Sequence, residues 1–123
     1  MKCMKQWVAA ALWILTGSLA GSAQAWSLTC TGNFDDVLVR ANGDLVVHST
    51  WRSDWTYLCN VNAATGAAVS AKTCASWLAL ATVAVDTQKP TTTSYTSNAL
   101  ANCAVVPTDN SAPAPDSVMF MKP

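Results

Sequence analysis

The stretch FDDVLVRANGDLVVHSTWRSDWTYLCNV, residues 34–61, decides the fold. Phe34 to Arg40 is β-prone, Asn42-Gly43 follows, and Leu45 to Thr50 is a second β-prone run. Asn-Gly between two such runs signals a hairpin, because a tight primed turn needs positive φ at both central residues. Arg52-Ser53-Asp54 then forms a polar tip flanked by Trp51 and Trp55. From Trp55 to Val61 the pattern alternates. Trp55, Tyr57, Cys59 and Val61 take one face; Thr56, Leu58 and Asn60 take the other. A three-stranded meander is the expectation.

Downstream the period changes. Asn62 to Gly66 reads as a loop, Ser70 as a helix N-cap, and Ala71 to Val85 as a helix. Cys74, Trp77/Leu78, Ala81 and Val85 line one stripe of that helix. Lys89-Pro90 stops it, since the residue before proline avoids the α region. Thr91 to Thr96 supplies a fourth strand and Val118 to Met121 a fifth. Between them lie a loop from Asn98 to Asn102, a short Val105-Val106 run and the extended connector Ser111 to Pro115. Meander, helix, then two strands is the order of an OB-fold, here a small, mainly β, five-stranded barrel of the α+β kind. A meander sheet packed on one helix would read the same.

Upstream, Lys2 and Lys5 precede an apolar run from Trp7 to Leu15, and small residues lead to Ala23-Gln24-Ala25. That is a Sec-type signal peptide over residues 1–25, with cleavage after Ala25. The run is too short for a membrane span of about 20 apolar residues. Residues 26–123 then form one domain, exported to the periplasm or beyond. Cys3 leaves with the signal, and Cys30, Cys59, Cys74 and Cys103 remain. Four cysteines in a small exported domain imply two disulfides, with three connectivities open. Zinc ligands come in close pairs, and these cysteines stand 29, 15 and 29 positions apart. No metal or cofactor is expected. Cys59 ends a strand and Cys74 opens the helix stripe that packs on it, so Cys59–Cys74 is the natural pair, leaving Cys30–Cys103.

The order of Cys30, Asn42-Gly43-Asp44-Leu45-Val46-Val47, Trp51, Trp55-Thr56-Tyr57-Leu58-Cys59-Asn60, Cys74-Ala75-Ser76-Trp77 and Cys103 resembles a group of small exported proteobacterial proteins without an assigned function. The strand-Cys-loop-Cys-Trp-helix pattern is similar, more loosely, to the B subunit of subtilase-type AB5 toxins. That subunit is an OB-fold pentamer that binds cell-surface glycans. The resemblance implies an OB-like fold, and it maps no glycan-binding residue onto this chain.

Chemistry-bearing residues are few. Without Lys2 and Lys5, five cations face seven Asp, a net charge of −2. Nucleic acid and anionic lipid need clustered Lys and Arg, so neither is an expected partner. His48 is the lone imidazole and falls on the polar face of its strand. Asp35-Asp36 are adjacent and should point to opposite faces. No nucleophile-base pair is placed, and the chain does not read as an enzyme. Trp51, Arg52, Asp54 and Trp55 form the one segment with a ligand-site composition: indoles for stacking, a cation and a carboxylate for ring hydroxyls. The competing reading has the two indoles pairing to clamp the hairpin.

Two functions follow from these residues. One is an exported binding module for a glycan or protein; the other is a structural or accessory envelope protein with no ligand site. Leu38, Val46 and Leu58 are apolar positions that barrel closure or a second subunit must cover. Closure, and hence a monomer, is the expectation.

Overall fold

The computed structural model describes residues 26–65, 69–97 and 99–121. The signal assigned to residues 1–25 lies outside them, as do Gly66 of the expected loop and Asn98. The described residues hold six strands and one helix: β1 (Ser27–Gly32), β2 (Phe34–Val39), β3 (Asp44–Ser49), β4 (Asp54–Asn60), α1 (Ala71–Thr87), β5 (Thr91–Thr96) and β6 (Ser117–Phe120). A 3-10 turn at Cys103–Val105 interrupts the segment between β5 and β6. The strands make two antiparallel sheets, ordered β2-β3-β4 and β1-β5-β6.

The meander forms where the alternation placed it, with a different turn. Gly43 N donates to Arg40 O and Arg40 N to Asp44 O, each at 2.9 Å, enclosing the loop Ala41-Asn42-Gly43. Gly43 alone in that loop has positive φ, +92°. This is a three-residue loop closed by glycine, the next commonest hairpin after the primed turn expected from Asn-Gly. A Cβ at Gly43 would stand 2.8 Å from Asn60 Oδ1, so the position is closed to side chains as well as strained for them.

A bulge corrects the faces of β4. Leu45 pairs with Cys59 but Val46 with Tyr57, leaving Leu58 as the extra residue. Leu58 and Cys59 are therefore both buried on the helix side. Tyr57 packs against the second core instead. Strict alternation had put Tyr57 with Cys59 and Leu58 opposite.

Ser70 caps α1, its Oγ accepting from Thr73 N at 3.1 Å. Cys74, Trp77, Ala81 and Ala84 form the buried stripe, at helical spacing. The helix runs past Val85 and ends at Gln88, whose left-handed φ of 50° lets its N–H reach the last turn. The stripe seals the main core on Phe34, Leu45, Val47 and Leu58, all fully buried. Each such side chain contributes about 1.5–3 kcal/mol by leaving water.

The five-stranded OB-like barrel is not what forms. There are six strands, and the sheets do not close into a barrel. The unread strand is β1, whose Ser27-Leu28-Thr29-Cys30-Thr31 alternation pairs with β5 from Ser27↔Thr96 to Gly32↔Thr91. Only Asn33 separates β1 from β2, yet they lie in different sheets. The chain turns this corner at Gly32, where a Cβ would meet Thr50 Oγ1 at 2.5 Å. Asn33 anchors it by accepting from Thr50 N and donating to Thr50 Oγ1, both at 2.9 Å. With β1 drawing β5 and β6 into its own sheet, no strand among the described residues remains to close the meander. Val46 and Leu58 are nonetheless fully buried, while Leu38 stays exposed.

A smaller core gathers Cys30, Tyr95, Val106 and Ala112, with Trp51 and Tyr57 packed on it. Two disulfides tie the cores: Cys59–Cys74 and Cys30–Cys103, with Cα atoms 5.7 and 5.6 Å apart. Two disulfides indicate an oxidising compartment, periplasmic or extracellular. Among the described residues, no helix is long and apolar enough to cross a membrane.

Candidate functional site

The tip between β3 and β4 is a four-residue turn, Thr50 to Ser53, closed by Ser53 N donating to Ser49 O at 2.7 Å. Ser53 takes the left-handed φ of 56°. Its side chains are engaged within the fold. Trp51 stands edge-on to Tyr95, centroids 6.4 Å apart, on the second core. Arg52 Nε donates to Val106 O at 2.6 Å, tying the tip to the segment after the 3-10 turn. Asp54 Oδ1 accepts from Trp55 N at 2.7 Å. Trp55 meets His48 edge-on at 5.7 Å. Each indole thus has its own partner, and the four candidate residues do not converge as one group.

Trp55 instead joins residues from the neighbouring strands. Asp36 pairs with His48 and His48 with Trp55, a row across all three strands on the face away from α1. Asp35 is the extra residue of a second bulge, between Phe34 and Asp36. Its Oδ2 lies 3.5 Å from His48 Nδ1. The bulge overturns the rule that adjacent strand residues part company, and so gives His48 the carboxylate neighbour that sequence alone could not place. Asp35 and Asp36 are exposed; His48 and Trp55 are half-buried. A half-buried indole and imidazole thus stand beside two exposed carboxylates on paired strands. The one available signal was the Asp35-Asp36 pair opposite the lone His48.

A second polar cluster, by contrast, is saturated. Asp44, only 6% exposed, accepts from Asn42 Nδ2 (2.7 Å) and Asn110 Nδ2 (2.9 Å) on Oδ2, and from Asn60 Nδ2 (2.9 Å) on Oδ1. Arg40 reaches Asn110 Oδ1 at 2.9 Å and forms an ion pair with Asp109. Desolvation by burial pushes the Asp44 carboxyl up, but the Asn60, Asn42 and Asn110 donors, with Arg40, outweigh it and hold it below its ordinary 3.8. A carboxylate so fully bonded is a clasp, joining the β2–β3 turn to the 109–110 segment. Burial raises the Tyr95 phenol well above its ordinary value of 10. No group of three or more metal-ligating side chains occurs among the described residues.

Concave surfaces also occur among the described residues. Leu80, Val83 and Ala84 of α1, with Lys89, Phe120 and Met121, line an apolar groove of about 220 Å³. Trp26, 74% exposed, lines another of about 260 Å³ with Ser97, Leu100 and Ala101. Among protein families, curated proteins and solved structures, none matches the chain.

Proposed function

We propose that the chain is an exported binding module that takes a saccharide at the Asp36–His48–Trp55 end of the β2-β3-β4 sheet, on the face away from α1. The observation that carries this reading is the row Asp36–His48–Trp55 with Asp35 beside it. Sugar recognition uses a flat apolar surface with polar groups at its rim, and here both are held by paired strands. Export through Sec, with cleavage after Ala25, accords with the two disulfides. The loose likeness to toxin B subunits points to the same ligand class without supplying a residue. The site keeps Trp55 of the four tip residues and adds His48, Asp35 and Asp36.

The test is a glycan array on the oxidised protein, followed by titration of Trp55→Ala and Asp35→Asn against any glycan retained. Both variants should weaken binding about tenfold or more. Trp55→Ala should lose about 0.5–1.5 kcal/mol of aromatic contact and stay folded. A protein that binds no arrayed glycan, or binds equally well without Trp55, ends the saccharide reading. The engagement of Trp51 and Arg52 within the fold favours a second reading, an accessory envelope protein with no ligand.

A further inference from the structure

Of the seven asparagines in the chain, only Asn42 and Asn110 precede a glycine or a serine, Gly43 and Ser111. A residue with little or no side chain lets its amide nitrogen come close to its neighbours. In such a pair that nitrogen can attack the carbonyl carbon of the asparagine side chain. Asn42 and Asn110 are therefore the two asparagines most open to deamidation, Asn42 first because glycine follows it. Both donate Nδ2 to one and the same atom, Asp44 Oδ2, at 2.7 Å from Asn42 and 2.9 Å from Asn110.

Each of these side chains is held at both ends. Asn42 Oδ1 accepts from Asp44 N at 3.1 Å, and Asn110 Oδ1 from Arg40 at 2.9 Å. The attacking nitrogens are engaged as well: Gly43 N donates to Arg40 O at 2.9 Å and Ser111 N to Thr108 O at 3.2 Å. Gly43 is itself buried. Deprotonating Gly43 N, which the attack requires, means breaking a hydrogen bond shielded from water. Turning the Asn42 side chain toward it means breaking two more. The pair is also fixed by the fold. A Cβ at Gly43 would stand 2.6 Å from Asn62 Nδ2, and Asn42 supplies one of the donors that Asp44 needs.

We propose that Asn42 is a covalent modification site gated by Asp44: the clasp keeps the side-chain amide intact, and its opening starts deamidation. In that step a bond forms between Gly43 N and Asn42 Cγ while the Cγ–Nδ2 bond breaks. Nδ2 leaves as ammonia, taking the Gly43 amide proton. Water then adds to either carbonyl of the cyclic imide and opens it to aspartate or isoaspartate, with no oxidant or cofactor involved. The product carries a carboxylate where the Nδ2 donor stood, and like charges placed against each other repel. Asp44 thus loses a donor and gains a repelling neighbour. The 109–110 segment stays loosened from the β2–β3 turn, and one passage through the open state is recorded in the covalent structure.

Peptide mapping by mass on the oxidised protein, kept at mildly alkaline pH, tests it, because exchange of NH2 for OH marks each converted residue. In the reduced, denatured chain Asn42 should convert ahead of every other asparagine. In the folded protein its conversion should be about tenfold slower or more, since the clasp must open first. Asp44→Ala should raise the folded-state rate several-fold while the far-ultraviolet dichroism stays unchanged. Unsubstituted protein in denaturant below its unfolding transition reads the same gate without a variant. Conversion at Asn42 should rise there before the Leu45 and Val47 amides lose protection from exchange. A folded protein that converts Asn42 as fast as the denatured chain overturns the proposal. So does a folded Asp44→Ala protein with an unchanged rate, or conversion that rises only with global unfolding.

Discussion

Among the described residues, ten buried ones form the core between α1 and the β2-β3-β4 sheet, α1's own stripe included, against four in the core beside β1 and β5. The larger core is period-coded: a helix stripe meets alternating strand faces, and its disulfide, Cys59–Cys74, spans only 15 positions. The smaller one draws Val106 and Ala112 from a segment with little regular structure. That segment is held by Cys30–Cys103, by Arg52 on Val106 and by the Asp44 clasp. Where apolar area is large, packing carries the fold; where it is small, covalent and polar ties replace it.

The largest expected effect comes from cutting those ties. Replacing Cys30 and Cys103 together by Ala should cost somewhat over 4 kcal/mol, since the bond closes a loop of 73 positions. Replacing Cys59 and Cys74 should cost about 3 kcal/mol. Amide exchange should show protection lost first at Tyr95 and Val106 in the former, while Leu45 and Val47 stay protected. If both variants lose protection uniformly, the two cores are one cooperative unit and the contrast dissolves.

Acid offers a gentler cut. The Asp44 carboxyl is held below its ordinary value, so its contribution is present above about pH 4. It is lost as pH falls through the lower, folded-state value. Melting temperature measured from pH 5 down to 2 should therefore decline, and Asp44→Asn should be less stable at pH 5 but fall less steeply. An unchanged acid slope in Asp44→Asn would assign the decline to other carboxylates.

Ser70→Ala, the smallest change, touches the larger core alone. Loss of the cap should cost about 1 kcal/mol, or roughly 4–8 °C in melting temperature for a domain of this size. Exchange at Tyr95 should follow only if the cores unfold together.

The same contrast separates what was legible in the sequence from what was not. The meander, the Ser70 cap, the helix stripe and the Cys59–Cys74 pair could all be read because alternation and helical spacing encode them locally. The two bulges broke that alternation. One moved Leu58 to the helix side of Cys59, and the other set Asp35 beside His48. A bulge adds a residue without any composition signal, so strict period two misplaces what surrounds it. β1 alternated clearly but pairs with β5 some 60 positions away, and no local pattern names a distant partner. Of the tip, composition was legible and engagement was not: Arg52 finds Val106 across 54 positions.

The disulfides are nested, Cys30–Cys103 enclosing Cys59–Cys74. A chain delivered N-terminus first to an oxidising compartment presents Cys30 and Cys59 before either native partner has arrived. Their premature union would be a wrong bond, removable only by attack of a free thiolate on it. With export as proposed, maturation would have a built-in order: the 59–74 pair could close as soon as α1 forms, while Cys30 would have to stay reduced, or be rescued by shuffling, until Cys103 arrives. Such exchange takes seconds to hours, so under the proposed export the yield of this domain should depend on a disulfide isomerase more than that of a domain whose cysteines join in sequence.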